Sequence, residues 1–183
     1  MKILVVVDMQ NDFVTGVLGS KDAQDIVPRV LDKISNWDGF VIFTRDTHFK
    51  EGYSKSIEGQ NIPIHCIYNT DGWQIVPPLS DYIYNNWKDG KLCIDNKYSF
   101  GSYNIVETIN RVIESSVDDI EYIEFVGLCT NMCVISNVMI VQSEYINIPI
   151  IVDALCCAGS TPEKHEAALD VMESCLIKIV NRQ

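Results

Sequence analysis

Short runs rich in β-branched residues alternate along this chain with amphipathic stretches of helical period, and that alternation limits the fold more than any other feature. The runs lie at 3–7, 40–44, 92–94, 120–126, 148–152 and 176–180, with helical patterns at 22–37, 105–114, 132–145 and 162–174. Thr161 as cap, Pro162 at the first helical position and Glu163-Lys164 behind them mark the start of the last helix. Strands that are apolar throughout are buried on both faces. The pattern therefore predicts a three-layer α/β/α fold around a mostly parallel sheet of about six strands. In such sheets ligands bind beyond the carboxyl ends of the strands, where the strand order reverses. Asp8, Asp46, Lys97, Cys129 and Asp153 all fall at or just after apparent strand ends.

A chain of 183 residues is expected to form one domain, residues 1–183, with a full core. Its net charge of −11 leaves no basic stripe for phosphates, which argues against nucleic acid. No apolar run approaches the ~20 residues of a membrane span. The apolar start ends in Asp8, where a signal peptide would carry a small-residue cleavage site, so it is read as a buried strand. Seven cysteines, an odd number placed in or beside apolar segments, suit free thiols in a reducing, cytoplasmic setting. Gly-rich phosphate loops are missing. Residues 49–91 show no clear period, and a stretch of that length inside a domain is usually functional.

Cys133 lies where the run at 120–126 passes through Gly127 into a helix expected from about Met132 to Tyr145, with Thr130 or Asn131 as its cap. In a first helical turn, backbone N–H groups and the helix dipole favour thiolate over thiol. A lone cysteine is more often a small core hydrophobe, so the assignment needs partners. Amide hydrolysis by a thiol requires a nucleophile, a proton carrier and oxyanion donors. Cys133 is the candidate nucleophile, Asp8 the acid/base, and Lys97 the cation that holds both. A second constellation is Asp46, His48, Glu58 and His65. Carboxylate and imidazole ligate Zn²⁺, Mn²⁺ or Fe²⁺, and Asp-x-His sets two donors on one side of an extended segment. The competing reading is that Asp46 and His48 brace the loop. Two of only three histidines lie in this region; His165, in the last helix, is expected at the surface.

The segments Asp8-Met9-Gln10-Asn11-Asp12-Phe13, Thr44-Arg45-Asp46-Thr47-His48, Pro63-Ile64-His65-Cys66, Lys97-Tyr98-Ser99-Phe100, Gly127-Leu128-Cys129-Thr130-Asn131-Met132-Cys133-Val134 and Asp153-Ala154 resemble, in order, the isochorismatase-like cysteine hydrolases, best known for nicotinamidases. That resemblance implies the isochorismatase-like fold, a triad of Asp8, Lys97 and Cys133, and a cis Leu128–Cys129 peptide bond. It also implies an oxyanion hole of the Cys129 and Cys133 backbone N–H groups, with the Cys129 thiol a spectator. A divalent metal would be held by Asp46, His48 and His65 with one further residue from the loop. No histidine lies between His48 and His65, so Glu58 is the choice and Glu51 the fallback. Phe13 resembles the aromatic packed on the substrate ring. Relatives place an aromatic before the second loop histidine, whereas this chain has Ile62-Pro63-Ile64, leaving Phe100, Tyr103 or Trp73 for that wall. Asn69 is expected in a left-handed turn.

The expected activity is hydrolysis of a small carboxamide through a Cys133 thioester, nicotinamide to nicotinate and ammonia first. Alternatives are an N-carbamoyl or ureido amidase and a non-catalytic binding protein that keeps the fold. Isochorismatases proper lack the cysteine. A zinc site of Cys129, Cys133, Cys156 and Cys157 has poor tetrahedral spacing. The expected partner is a small amide, without nucleic acid or membrane, and assembly into a homo-oligomer is left open.

Overall fold

A computed structural model describes residues 1–182. The strands are β1 (Lys2–Val7), β2 (Phe40–Asp46), β3 (Leu92–Lys97), β4 (Tyr122–Leu128), β5 (Ile150–Ala158) and β6 (Lys178–Val180). They form one six-stranded sheet in the order β3-β2-β1-β4-β5-β6, every pairing parallel. The helices are α1 (Asn11–Val14), α2 (Lys21–Ser35), α3 (Ile57–Asn61), α4 (Leu79–Asn86), α5 (Ile105–Glu114), α6 (Ile135–Glu144) and α7 (Pro162–Ser174).

Side chains alternate across a strand, and β1 splits the core accordingly. Leu4 and Val6 pack with Ile26, Val30 and Ile34 of α2 and Leu79 of α4. Ile3, Val5 and Val7 pack with Ile109 of α5, Val138 of α6 and Leu169 of α7. These two cores make the three layers. Chain order runs outward from β1 in both directions, so the reversal falls between β1 and β4, and the crevice for a ligand opens above their carboxyl ends. Gly127, at φ 115°, lets β4 approach β1 there: a Cβ at that position would lie 2.1 Å from the Val7 carbonyl oxygen.

Three expectations are corrected. The region 49–91 is not without helix: it holds α3, α4 and short 3₁₀ turns at Tyr53–Lys55 and Trp87–Asp89. The chain after β4 enters a π-helical turn, Thr130–Val134, before α6, and neither Thr130 nor Asn131 caps it by its side chain. Asp153 is no strand-end residue. It lies inside β5, where the register with β4 shifts, and it faces α2. Thr161 does cap α7, accepting from the Lys164 N–H, and Asn69 is left-handed at φ 61°.

Lys33 of α2 pairs with Glu124 of β4 and with Asp153 at 2.8 Å, both carboxylates being buried. Lys33→Ala would leave two buried carboxylates uncompensated. Because Lys33 itself still reaches solvent, the expected loss is about 3 kcal/mol, the lower end for breaking a buried pair. Urea denaturation checks it, and an unchanged midpoint would show that the carboxylates are neutralised some other way.

Candidate active site

Four adjacent strands deliver the chemistry. Lys97 ends β3, Asp46 ends β2, Asp8 follows β1, and Cys129 follows β4. Asp46 and Lys97 are register partners on neighbouring strands, which makes their meeting a consequence of sheet pairing. Asp8 sits in the left-handed region at φ 46°, a conformation that aspartate tolerates better than most residues and that clusters at functional sites. The turn lifts the chain out of the sheet and into the crevice.

The Lys97 side chain has no exposure at all. Its ammonium lies 2.7 Å from Asp8 Oδ2 and 3.2 Å from Asp46 Oδ1, and it donates to the Ser99 carbonyl at 3.1 Å and to Cys133 Sγ at 3.5 Å. Burial alone would push a lysine down, but Asp8, Cys133 and Asp46 together hold Lys97 well above its ordinary value. Burial raises Asp8, with Lys97 opposing. Its Oδ2 makes no aligned hydrogen bond and so keeps a lone pair free for a proton. Burial also pushes the Cys133 thiol up, against Lys97 and with Asp8 and Asp46. Burial is the largest of these effects, and the Lys97 ammonium is the one that opposes it. Among the described residues the hydrogen bond to this sulfur comes from the Lys97 ammonium, which also meets Asp8 at 2.7 Å, so carboxylate and thiol share one cation. The Cys129 thiol, raised to about 12 by burial, shares the crevice. Leu128–Cys129 is cis.

Asp46 has a second oxygen to use. Its Oδ2 lies 2.9 Å from His48 Nε2 and 3.2 Å from His65 Nε2, while Glu58 Oε1 stands 3.5 and 3.6 Å from the same two nitrogens. His65 Nδ1 is 2.8 Å from the Pro63 carbonyl. A carbonyl can only accept, so Nδ1 carries hydrogen and Nε2 presents a lone pair to two carboxylates. Acceptors converging on one point need a cation between them. Glu58 Oε1 is buried without a hydrogen-bond partner, and all four ligand atoms lie within 4.8 Å of one another. Burial disfavours a charged His48 ring, yet Asp46 and Glu58 raise it to about 9, so without a metal a proton takes that place. Two imidazoles and two carboxylates suit a divalent ion. Among the described residues this is the metal-ligating group, and neither Glu51 nor the cysteines form one.

Between these clusters lies a cavity of about 380 Å³ lined by Phe13, Phe100, Leu128, Met132, Cys133, Asp46, Glu58 and His65. Phe13 meets His65 edge-on at 5.3 Å. The aromatic wall is corrected in two places. Tyr103 is 90% exposed and outside the lining. Trp73 is buried beneath Arg45, 3.7 Å from the guanidinium, and donates to Thr47. His165 is also corrected: it is half-buried, with Nδ1 2.8 Å from Thr130 Oγ1.

Several supports escaped sequence reasoning. Thr44 donates to Asp8 Oδ1 at 2.7 Å. The Gln10 amide accepts from the Asp46 N–H at 2.7 Å and donates to the Asp46 carbonyl at 2.8 Å, continuing the sheet pattern with a side chain. Asn137 donates to the Cys133 and Phe100 carbonyls and accepts from the Ser102 N–H. Tyr53 lies 3.0 Å from His65 Nδ1. Their one signal in the sequence is a polar residue on an otherwise apolar face, as with Asn137 four positions after Cys133.

A family model described as the isochorismatase domain matches residues 2–183. The chain is 28% identical over 170 residues to a nicotinamidase of Saccharomyces cerevisiae, covering 73% of this chain and 78% of that protein. Among solved structures it is similar to the nicotinamidase/pyrazinamidase PncA of Bacillus subtilis, with TM-score 0.83, 22% identity, and coverage of 97% and 98%. It is similar also to the pyrazinamidase of Pyrococcus horikoshii in complex with zinc, with TM-score 0.76, 24% identity, and 99% of each chain covered.

A thiol raised by burial and two carboxylates should alkylate faster as pH rises, with no plateau in the ordinary thiol range near 8.5. In metal-depleted protein the iodoacetamide rate at Cys133 is therefore expected to climb through pH 9. A plateau at or below neutral pH would show that Lys97 and the helix terminus prevail over burial.

Proposed function

The chain belongs to the isochorismatase family, and on that premise we propose that it is a cysteine amidohydrolase, residues 1–183 acting as one catalytic domain. Its proposed substrate is a small aromatic carboxamide, nicotinamide before others. The observation that carries this reading is the Lys97 ammonium in reach of Asp8, Asp46 and Cys133 Sγ, with Asp46 and Cys133 lining a mostly apolar cavity. The activity named for the yeast relative supports the choice of nicotinamide.

In this reading Asp8 Oδ2 takes the Cys133 proton as sulfur attacks the amide carbon. Lys97 stays protonated and keeps the region near neutral as charge moves from sulfur to the carbonyl oxygen. The backbone N–H groups of Cys129 and Cys133 receive that oxygen. Protonated Asp8 then passes its proton to the leaving nitrogen, ammonia departs, and a Cys133 thioester remains. Asp8 next draws a proton from water, whose oxygen attacks the thioester and frees the acid and the thiol. Asp46, His48, Glu58 and His65 are the residues that would hold a divalent ion; the zinc named for the Pyrococcus relative supports that class. When bound, such an ion supplies a Lewis-acid point that a ring nitrogen can ligate, which orients the substrate. Phe13 and Phe100 flank the ring.

A ureido or N-carbamoyl substrate is the second reading. The cavity volume favours it, since about 380 Å³ falls in the range of drug-sized ligand pockets and leaves room beyond one ring.

Ammonia release from nicotinamide, pyrazinamide and ureido compounds, with and without chelator, decides between them. Cys133→Ala and Asp8→Asn are expected to lose activity to a similar degree, as members of one unit, and Cys129→Ala to keep most of it. An active Cys133→Ala would overturn the nucleophile.

Metal analysis is expected to find one divalent ion in wild type. His48→Ala and His65→Ala should lose it, Glu58→Ala should hold it weakly, and Glu58→His should retain it. Full metal in Glu58→Ala removes Glu58 from the site.

A further inference from the structure

We infer that His165 is a positioning residue for the oxyanion site, acting on it through the Thr130 hydroxyl; the inference rests on the oxyanion role proposed for the Cys129 N–H. Thr130 is fully buried and opens the π-helical turn directly after Cys129. Its hydroxyl oxygen lies 2.8 Å from His165 Nδ1. The other ring nitrogen, Nε2, faces the Glu166 carboxylate at 3.9 Å. An acidic neighbour on that side favours the ring hydrogen on Nε2, and burial disfavours the charged ring. Nδ1 is then an acceptor, and the Thr130 O–H donates to it.

The contact is built in. Gly159 has no side chain to hold α7 away: a Cβ there would stand 2.8 Å from the His165 N atom and from its Cβ. The first turn of α7 therefore lies directly on the end of β5, with the imidazole against the turn. Beside it the Asn131 side chain accepts from the Ser160 N–H at 2.8 Å, and inside the turn the Cys129 carbonyl accepts from the Met132 and Val134 N–H groups at 2.9 and 3.1 Å. The peptide carrying the Cys129 carbonyl is thus held by backbone, while the Thr130 side chain is held from α7 by His165. The other inward residues of α7, Ala168, Leu169 and Met172, are apolar and pack into the core. Oxyanion donors act only when aimed within fractions of an ångström, and Thr130 is the residue next to one of them.

Three readouts test this: steady-state kinetics on the amide, affinity for pyridine-3-carbaldehyde, and the alkylation rate with iodoacetamide. The Cys133 S–H adds across the aldehyde C=O, sulfur bonding to carbon, so the adduct oxygen samples the oxyanion position; alkylation does not use that position. For His165→Leu, kcat and aldehyde affinity are expected to fall together by roughly tenfold to a hundredfold. KM, alkylation rate and metal content should stay within about twofold, as for a residue whose effect is made only in the transition state. His165→Asn, whose amide oxygen can stand in for Nδ1, should recover most of the loss. Thr130→Val should match His165→Leu, and the double variant should lose nothing more. Equal loss in His165→Asn and His165→Leu, or wild-type aldehyde affinity in both, overturns the role of His165. If His165→Leu does not fold, Thr130→Val against His165→Asn carries the same comparison. A wild type that binds the aldehyde but releases no ammonia overturns the amidase reading instead, and the aldehyde series still decides on His165.

Discussion

One buried ammonium organises the working end of this protein. Lys97 has no access to water, and an isolated charge in that position would cost several kcal/mol or lose its proton. It persists because Asp8 and Asp46 lie within 3.2 Å, and each carboxylate is tolerable for the reciprocal reason. Removing any member leaves the others exposed to the full desolvation penalty. The cluster is therefore one object electrostatically, and Cys133 is read against it. Burial disfavours a charged sulfur there, and the Lys97 ammonium favours it.

Asp46 extends the same object into the loop. One carboxylate oxygen faces Lys97 and the other faces His48 and His65, so the proposed metal site and the proposed catalytic site share a side chain. The surrounding polar residues hold this arrangement from behind. Gln10 fixes the Asp46 backbone, Thr44 fixes one oxygen of Asp8 and frees the other, and Asn137 ties the segment after Lys97 to the turn that carries Cys133. Because oriented groups have little freedom left to lose, such supports raise the value of the groups they hold.

A second lysine among carboxylates shows why composition does not identify a site. Lys33 meets Glu124 and Asp153, with Cys156 nearby, much as Lys97 meets its partners. The difference is location. Lys33 approaches from α2 along the flank of the sheet, whereas Lys97 stands at the carboxyl end of β3 and reaches Asp8 beside the order reversal, near a cavity and two imidazoles.

The strand and helix layers were legible in the sequence because burial on both faces forces continuous apolar runs, and amphipathic helices must cover them. Asp8, Asp46, Lys97 and Cys133 were legible because each closes such a run or follows one, His48 because Asp-x-His sets two donors on one side, and His65 with Glu58 through the family resemblance. Asp153 misled for the same reason: it follows an apolar run, but β5 continues past it, and alternation with Val152 and Ala154 turns it toward α2. Tyr103 and Trp73 could not be sorted from Phe100, since aromatic residues look alike until packing points one inward, one outward and one beneath an arginine. His165 looked like a surface residue on the polar side of a helix. It became a partner of Thr130 because Gly159 lets α7 lie against the end of β5, a contact between segments distant in the chain. Local spacing encodes periodicity and chemistry; orientation, hydrogen-bond partners and protonation depend on neighbours that only the packed chain supplies.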